Sequence, residues 1–515
     1  MNSTFKILCF QTIVLLCFTS VIVGAQQIPS FITDSLDNYI RRNMATFQIP
    51  GFAVSVVKDG KVIVMKAYGK QKFSEQQSIS PSTIFPIASI TKTFTGTAMA
   101  MLEAEQKLSL DDNLTRWVPY FSMKDSLYSR QITLTDILSH RSGWKTFQGD
   151  FLNTESSMTT RQMLEKFATL KPPYQFRTRF GYSNFGFLLA EEVFKPASGL
   201  GWKDFLSNRL LKPLGMTRTF VHVGDIEQDS DIALGHTLLR DSISAVPKEK
   251  IEPRGYGGMF ASISDLGTWM NVLLNNGLHD GKEVIPAKAI ERMWRSYTII
   301  GKNKAADQRL YLKTYGLGWE ILQYRGQELI GHNGAYSGVL TKISLIPSER
   351  LGIAVLTNQD SHVLHELLTW QIIDAFLNNP APNYADEFFK RRNERKKSMT
   401  ENVAQKSGDL KQATKNSSEK PIALNLLEGE YLCDAYGKVV ILRQGDETII
   451  RLEHHPTLQG IITQSDGNRV RCRYNHPMFG DVEFPLSIEN GVVKAFMLFV
   501  DAFVESDGYE FRKIR

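Results

Sequence analysis

The sequence contains little cysteine, and this shortage excludes several classes of protein. Only four of its 515 residues are cysteine, and two of these, Cys9 and Cys17, fall within the first 25 residues. The other two, Cys433 and Cys472, are too few for a disulfide framework, although they could form one bond in an oxidising compartment. No His/Cys cluster has zinc-site spacing and no glycine-rich phosphate loop follows a strand. We therefore expect neither a metal nor a cofactor.

The sequence also has little excess of positive or negative charge outside one stretch. The formal net charge is +6 at pH 7, and residues 390–420 contain ten basic and four acidic residues. The rest of the chain is therefore nearly neutral. Because the basic stretch lacks interleaved aromatic residues, we expect no nucleic-acid partner. A solvated linker accounts for the stretch, and weak attraction to an anionic cell wall or membrane surface stays open.

Long apolar runs are missing beyond the amino terminus. There, Lys6 is followed by an apolar run over 7–23 and by the small residues Gly24 and Ala25. This order is typical of a secretory signal peptide. We expect residues 1–25 to be removed and the protein to be exported, to the periplasm or the extracellular space. A retained membrane anchor is the alternative, because the run approaches the length of a spanning helix.

A chain of this length predicts two or more domains. Strand patterns over 52–65 and again over 315–357 flank a mostly helical middle. This arrangement predicts an α/β fold over residues 26–385, with an antiparallel sheet flanked by helices and a mostly helical subdomain. Residues 386–422 have the composition of a basic polar linker.

The carboxy-terminal segment, residues 423–515, changes in character. Short β-rich runs between residues 439 and 512 are separated by Asp-Gly and Asn-Gly turns. This spacing predicts a small antiparallel barrel or sandwich. We see no catalytic residues in this segment and expect His454 and His455 to lie at its surface.

One serine and one lysine stand where a nucleophile could be built. Ser-x-x-Lys occurs five times, but only the copy at Ser89 opens a predicted buried helix, with an apolar stripe at 94, 98, 101 and 102. Ser89 and Lys92 would share one helical face, which suits a serine with its own proton acceptor. On these residues alone, a helix-capping serine beside a solvated lysine is the alternative.

Two further pairs could complete a site. Tyr182 and Asn184 form the only Tyr-x-Asn of the sequence, in a loop that opens a predicted buried helix. A core tyrosine with an asparagine cap is the alternative. His332 and Gly334 stand beside a predicted sheet edge, where the glycine would let a substrate backbone approach closely. His-x-Gly also begins at residues 222 and 279.

In this order and at these separations, the three pairs resemble the motifs of the serine β-lactamase and penicillin-binding protein superfamily. The likeness is to the branch of class C β-lactamases and D-alanyl-D-alanine carboxypeptidases. It covers about residues 30–380 and includes the glycine run 255–258. Residues 423–515 resemble the lipocalin-like domain found on some of these hydrolases. The third motif begins with His332 where class C β-lactamases have lysine, which is similar to the peptidases, D-aminopeptidases and esterases of the branch.

The resemblance implies roles for the first two pairs. Ser89 would attack an acyl carbonyl, and Asn184 would hydrogen-bond the substrate amide. The proton acceptor is either Tyr182 as a phenolate beside a charged Lys92, or Lys92 made neutral by burial, or a proton shared by the two.

The resemblance also implies roles around the third pair. The backbone N–H groups of Ser89 and Ala335 would form the oxyanion hole. His332 and Gly334 would lie against the substrate, and His332 would orient the Tyr182 network or meet a substrate carboxylate.

These observations predict an exported serine hydrolase that cleaves amide or ester bonds through a Ser89 acyl-enzyme. The expected partner is a small molecule or a peptide, including peptides that contain D-amino acids. A carboxylesterase and a β-lactamase are the rival enzymes. A penicillin-binding sensor that does not hydrolyse its ligand is the rival of another class.

Overall fold

The computed structural model describes residues 27–239, 242–247, 251–304, 310–395, 422–464 and 467–515. The predicted signal peptide and most of the predicted linker lie outside the described residues, so both stay predictions. The described residues form a large antiparallel sheet with helices on both faces, and a separate closed barrel. This is the α/β fold with a small all-β segment that the sequence predicts.

Most of the strands and helices lie before residue 395. The strands are β1 (Gly51–Lys58), β2 (Lys61–Gly69), β3 (Ile84–Pro86), β4 (Thr219–Phe220), β5 (His236–Leu239), β6 (Ser242–Ala245), β7 (Phe260–Ser262), β8 (Leu278–His279), β9 (Lys282–Glu283), β10 (Thr298–Lys304), β11 (Leu310–Tyr315), β12 (Glu320–Tyr324), β13 (Gln327–Tyr336), β14 (Val339–Ile346) and β15 (Leu351–Thr357). The α-helices up to residue 376 are α1 (Leu36–Phe47), α2 (Thr91–Ala104), α3 (Leu114–Trp117), α4 (Ser126–Gln131), α5 (Leu134–Leu138), α6 (Thr160–Phe167), α7 (Asn184–Ser198), α8 (Trp202–Leu206), α9 (Val223–Gln228), α10 (Ile263–Leu274), α11 (Ala287–Met293) and α12 (Leu364–Phe376). Two single 3-10 turns, Ala88–Ile90 and Asp150–Leu152, border the site described below.

The large sheet joins the two ends of this region. Its strand order is β10-β11-β12-β13-β14-β15-β1-β2, so the early hairpin pairs with the last strand, with Phe52 opposite Thr357. Successive side chains of a strand point to opposite faces. Val54 and Val56 accordingly pack in the core that includes α1 and α12, whereas Ala53 and Val57 pack in the core that includes α10. The apolar run of β1 is therefore explained by burial on both faces.

Helix α2 is the buried helix predicted to follow Ser89. It ends at Ala104, and two residues later Gln106 takes the left-handed conformation, with φ 59°. A Cβ at Gly96 would lie 1.9 Å from the carbonyl oxygen of Leu317. The helix thus packs directly on the backbone at Leu317, and this contact helps to fix its position in the core.

The carboxy-terminal segment is a closed barrel and not a sandwich. Its strands are β16 (Gly429–Cys433), β17 (Gly437–Gln444), β18 (Glu447–Leu452), β19 (His455–Gln464), β20 (Arg469–Tyr474), β21 (Asp481–Glu489), β22 (Val492–Leu498) and β23 (Tyr509–Lys513). Pairing of β16 with β23, with Tyr431 opposite Lys513, closes it. Cys433 and Cys472 are free thiols on β16 and β20.

The barrel packs against residues 145–166, a segment that contains the 3-10 turn Asp150–Leu152 and most of α6. Ser157 N–H donates to the His454 carbonyl at 2.8 Å, and Lys145 forms an ion pair with Asp507. The expectation that His455 lies at the surface is wrong. Only 2% of His455 is exposed. Its side chain lies between the barrel and the turn at Phe151, where its Nε2 donates to the Phe151 carbonyl at 2.8 Å.

None of the helices within the described residues combines the length and the hydropathy needed to span a bilayer.

Candidate active site

A cavity of about 810 Å³ lies where the sheet, the helical subdomain and the barrel meet. Ser89, Tyr182, Asn184, His332 and Ala335 all line it. The structure therefore brings together side chains that are up to 246 positions apart in the sequence. Of the other two predicted residues, Lys92 is fully buried beside Ser89 and Gly334 packs against the turn that precedes Ser89.

Ser89 sits in the turn Ala88–Ile90, between β3 and α2. Ala88 has φ 46°, a left-handed conformation that is unfavourable for a residue with a side chain. Ala88 and Ile90 are buried, whereas Ser89 is partly exposed. The turn therefore anchors its flanking residues in the core and presents the serine hydroxyl to the cavity.

The Lys92 ammonium position is enclosed by three oxygen atoms. Its Nζ lies 3.1 Å from Ser89 Oγ, 2.7 Å from Asn184 Oδ1 and 2.6 Å from the Tyr256 carbonyl oxygen. The side chain has no exposed surface. Burial lowers the pKa of Lys92 well below its ordinary value, and the nearby Asp150 only partly opposes this shift.

The three contacts fit a neutral amine. A neutral amine has two N–H groups and one lone pair. The amide oxygen of Asn184 and the carbonyl of Tyr256 can only accept hydrogen bonds, so they take both N–H groups. The lone pair is then left for Ser89, and its hydroxyl is the donor. In this arrangement Lys92 can take the proton of the Ser89 hydroxyl.

Tyr182 holds its proton in this environment. Burial raises the pKa of its phenol above the ordinary value, and a hydrogen bond to Ser89 offsets the shift only in part. Lys92 Nζ lies 4.7 Å from the centre of the Tyr182 ring. Among the alternatives left open by the sequence, the geometry favours a neutral Lys92 as acceptor and Tyr182 as a proton donor.

Asn184 is held by a residue that the sequence analysis missed. Ser183 caps α7, so Asn184 is its first residue and points into the cavity. Asn184 Nδ2 donates to Asp150 Oδ2 at 2.6 Å, which turns Oδ1 towards Lys92. Asp150 carries no motif that the sequence could reveal. The only sequence feature that pointed to Tyr256 was its position within the glycine run 255–258.

His332 is buried and neutral at neutral pH. Its Nδ1–H donates to the Asn333 carbonyl at 2.6 Å, so its Nε2 accepts from the Tyr315 hydroxyl at 2.8 Å. Burial lowers the pKa of His332 to about 4. The imidazole therefore brings no positive charge to a substrate carboxylate.

Gly334 makes its close contact with the protein itself. A Cβ at this position would lie 2.4 Å from the Ile87 carbonyl oxygen, 3.2 Å from Ala88 Cβ and 2.2 Å from Thr341 Oγ1. Strand β13 can thus press directly on the turn before Ser89. Next along the strand, Ala335 is exposed and lines the same cavity as Ser89, as an oxyanion hole shared by the two residues requires.

The wall of the cavity holds no unpaired lysine or arginine among the described residues. Arg254 is the one lysine or arginine that lines it there, and Glu191 lies 3.5 Å from its guanidinium. The lining also contains the carboxylic residues Asp150, Glu155, Glu252 and Glu320, of which Glu252 and Glu320 pair with Lys203 and Lys313. A wall without an unpaired lysine or arginine offers little attraction to anionic substrate groups.

A serine at the start of a buried helix, a neutral lysine beside it and a tyrosine that holds its proton define the class as a serine hydrolase. A model of the Beta-lactamase family matches residues 36–376. The chain belongs to this family.

The relatives agree with this assignment. The chain is 26% identical over 430 residues to an unguisins hydrolase of Aspergillus campestris, across 80% of this chain and 78% of that protein. It is 28% identical to protein flp of Staphylococcus aureus, across 65% of this chain but only 64% of that protein's length. The structure of an octameric penicillin-binding protein homologue from Pyrococcus abyssi is similar over 93% of this chain and all of that one, with a TM-score of 0.59. At 23% identity, this similarity shows the fold alone.

The protonation state of Lys92 predicts the pH profile of the reaction. Because the neutral amine is the active form, kcat/KM should rise with pH through the Lys92 pKa, which lies well below the ordinary value of about 10.4. A Tyr182→Phe variant should keep the position of this rise but lower kcat for amides by about 10²- to 10⁴-fold. A rise centred near pH 10 would contradict a neutral Lys92.

The contact of Gly334 predicts the effect of one added methyl group. Gly334→Ala should push β13 away from the Ile87–Ala88 turn and slow acylation by about 10²-fold, because the nucleophile is displaced. The burst rate with p-nitrophenyl acetate measures this step. Gly224→Ala is the matched control, since a Cβ there meets nothing within 4 Å. A folded Gly334→Ala protein with the wild-type burst rate would show that the contact is unimportant for Ser89.

Proposed function

We propose that the protein is an exported serine hydrolase that cleaves amide or ester bonds through a Ser89 acyl-enzyme, with peptides, including those that contain D-amino acids, as its substrates. The observation that carries this proposal is the set of three oxygen contacts around the buried Lys92 Nζ. These contacts leave the amine lone pair to Ser89 and make the serine a nucleophile at neutral pH.

Acylation begins when Lys92 takes the Ser89 hydroxyl proton and Oγ bonds to the substrate carbonyl carbon. The carbonyl oxygen becomes negative and is stabilised by the N–H groups of Ser89 and Ala335, at the positive end of α2. The bond to the leaving nitrogen then breaks. That nitrogen takes the Tyr182 phenol proton, and the Lys92 ammonium returns a proton to Tyr182.

Deacylation repeats these steps with water. Lys92 takes a proton from the attacking water, and the new C–O bond forms on the acyl carbon. The ester bond to Ser89 breaks, and Oγ regains a proton from the Lys92 ammonium. All three side chains end in their starting protonation states.

The charge of the cavity supports the choice of substrate. A neutral His332 and an Arg254 that is paired with Glu191 offer no free positive charge to a substrate carboxylate next to the scissile bond. Tyr182, with its proton retained, can protonate an amine leaving group, which an amide requires and an aryl ester does not. Together they favour peptides with a neutral or protonated amino end over D-Ala-D-Ala peptides and β-lactams. The relative that is named as an unguisins hydrolase supports hydrolytic chemistry in general.

A substrate panel tests the proposal and its rivals. We expect turnover of short-chain aryl esters and D-amino-acid amides, and weak turnover of D-Ala-D-Ala peptides and a chromogenic cephalosporin. Ser89→Ala should lower kcat by about 10⁴-fold or more on every member. Turnover of esters without amides would favour a carboxylesterase, and rapid cephalosporin hydrolysis a β-lactamase. Stable acylation without turnover would favour a sensor.

Export is the second part of the proposal. It is supported by the charged, apolar and small-residue order of the first 25 residues. In a secreting host, we expect the mature protein to begin at Gln26, as mass spectrometry of its amino-terminal peptide would show. Recovery of the intact amino terminus in the membrane fraction would instead indicate a retained anchor.

A further inference from the structure

The turn Gly149–Phe151 borders the active site, and residues of the barrel hold it in place through hydrogen bonds. Glu505 accepts hydrogen bonds from the Gly149 N–H at 2.6 Å and from the Phe151 N–H at 3.1 Å. His455 donates to the Phe151 carbonyl at 2.8 Å and stacks on the Phe151 ring, with centroids 4.4 Å apart. The barrel therefore fixes the backbone on both sides of Asp150.

Glu505 is built into this contact. Only 1% of the residue is exposed, and its carboxylate also accepts from the hydroxyls of Tyr436 and Tyr509. Burial raises the pKa of Glu505 to about 6. Loss of this carboxylate would leave the buried Gly149 and Phe151 N–H groups without their acceptor, which is costly in a dry interface.

Asp150, between these two N–H groups, continues the chain of contacts. Its Oδ2 holds the Asn184 amide, and Asn184 Oδ1 accepts from Lys92. Within the described residues, Asp150 Oδ1 is buried and has no hydrogen-bond partner, which disfavours a charged carboxylate. Burial first, and then the charge of Glu505, raise the pKa of Asp150 well above its ordinary value. These observations favour an uncharged Asp150 beside Lys92.

We propose that Glu505 of the barrel is a positioning residue for the hydrolase reaction. It fixes the Asp150 turn, orients Asn184, and helps to keep Asp150 uncharged so that Lys92 remains a neutral amine. The barrel is then part of the reaction site and not an appended binding module. This inference rests on the proposed function of Ser89 and Lys92.

The sign of the electrostatic effect follows from the groups around Glu505. Those that interact with it are Asp150 and Lys145 of the hydrolase region, with Lys145 paired to Asp507, and Tyr436 and Tyr509 of the barrel. Removing the Glu505 charge lets Asp150 ionise at lower pH. An ionised Asp150 raises the pKa of Lys92. The acid limb of the pH–rate profile, the range in which the rate rises with pH, should therefore move to higher pH.

The test measures the burst rate of the full-length protein with p-nitrophenyl acetate from pH 4 to pH 9. Glu505→Gln should lower the rate at neutral pH by about 10- to 100-fold and shift the acid limb to higher pH. Glu510→Gln is the matched control, because Glu510 is exposed at the start of β23, five residues after Glu505, and forms an ion pair with Arg512 of the barrel. It should leave rate and limb unchanged.

Two further variants keep the inference falsifiable. In an Asp150→Asn background, Glu505→Gln should no longer move the limb. If Glu505→Gln does not fold, Tyr436→Phe removes one donor to the carboxylate, raises the Glu505 pKa and should shift the limb in the same direction by less.

A folded Glu505→Gln protein with the wild-type rate and limb would overturn the inference, as would a shift that persists without Asp150. A wild-type protein without a Ser89-dependent burst would contradict the proposed function instead.

Discussion

The structure of the site depends on one constraint, the complete burial of Lys92 beside the Ser89 hydroxyl and two carbonyl oxygen atoms. Burial penalises a charged ammonium, whereas a neutral amine can donate to both carbonyl oxygens and keep one lone pair for Ser89. The left-handed Ala88, the close packing of Gly334 on the Ile87–Ala88 turn and the contact of Gly96 with Leu317 all hold the helix start in place around this amine.

The same constraint explains why the site extends beyond the first domain. Asn184 can orient its oxygen towards Lys92 only because Asp150 takes its amino group, and Asp150 is held by a turn whose backbone is bonded to Glu505 and His455 of the barrel. Three residues, Lys92, Asn184 and Asp150, therefore link the nucleophile to the barrel, through hydrogen bonds of 2.6–3.1 Å. The pairing of Arg254 with Glu191 and the neutral His332 then limit how well an anionic substrate group can bind.

Much of the fold follows from patterns within short stretches of the sequence. The strand pattern over 52–65 and the apolar stripe of the helix after Ser89 each predict an element that the structure contains. The three motif pairs also lie together in the structure. The sequence could predict this, because the order and spacing of the pairs resemble those of a known family. Asp150, Tyr256 and Glu505 could not be found this way. Tyr256 contributes a backbone carbonyl, and the two carboxylic residues act through contacts between distant segments. His455 was assigned to the surface for the same reason, since its burial depends on how the barrel docks.

The most direct test of this account is the charge of Lys92 itself. With lysine labelled by ¹³C, the Cε chemical shift of Lys92 can be followed against pH and assigned by its absence in a Lys92→Arg protein. The account predicts the shift of a neutral amine at pH 7, with a titration well below that of the surface lysines. A Lys92 signal that titrates together with the surface lysines near pH 10 would contradict it.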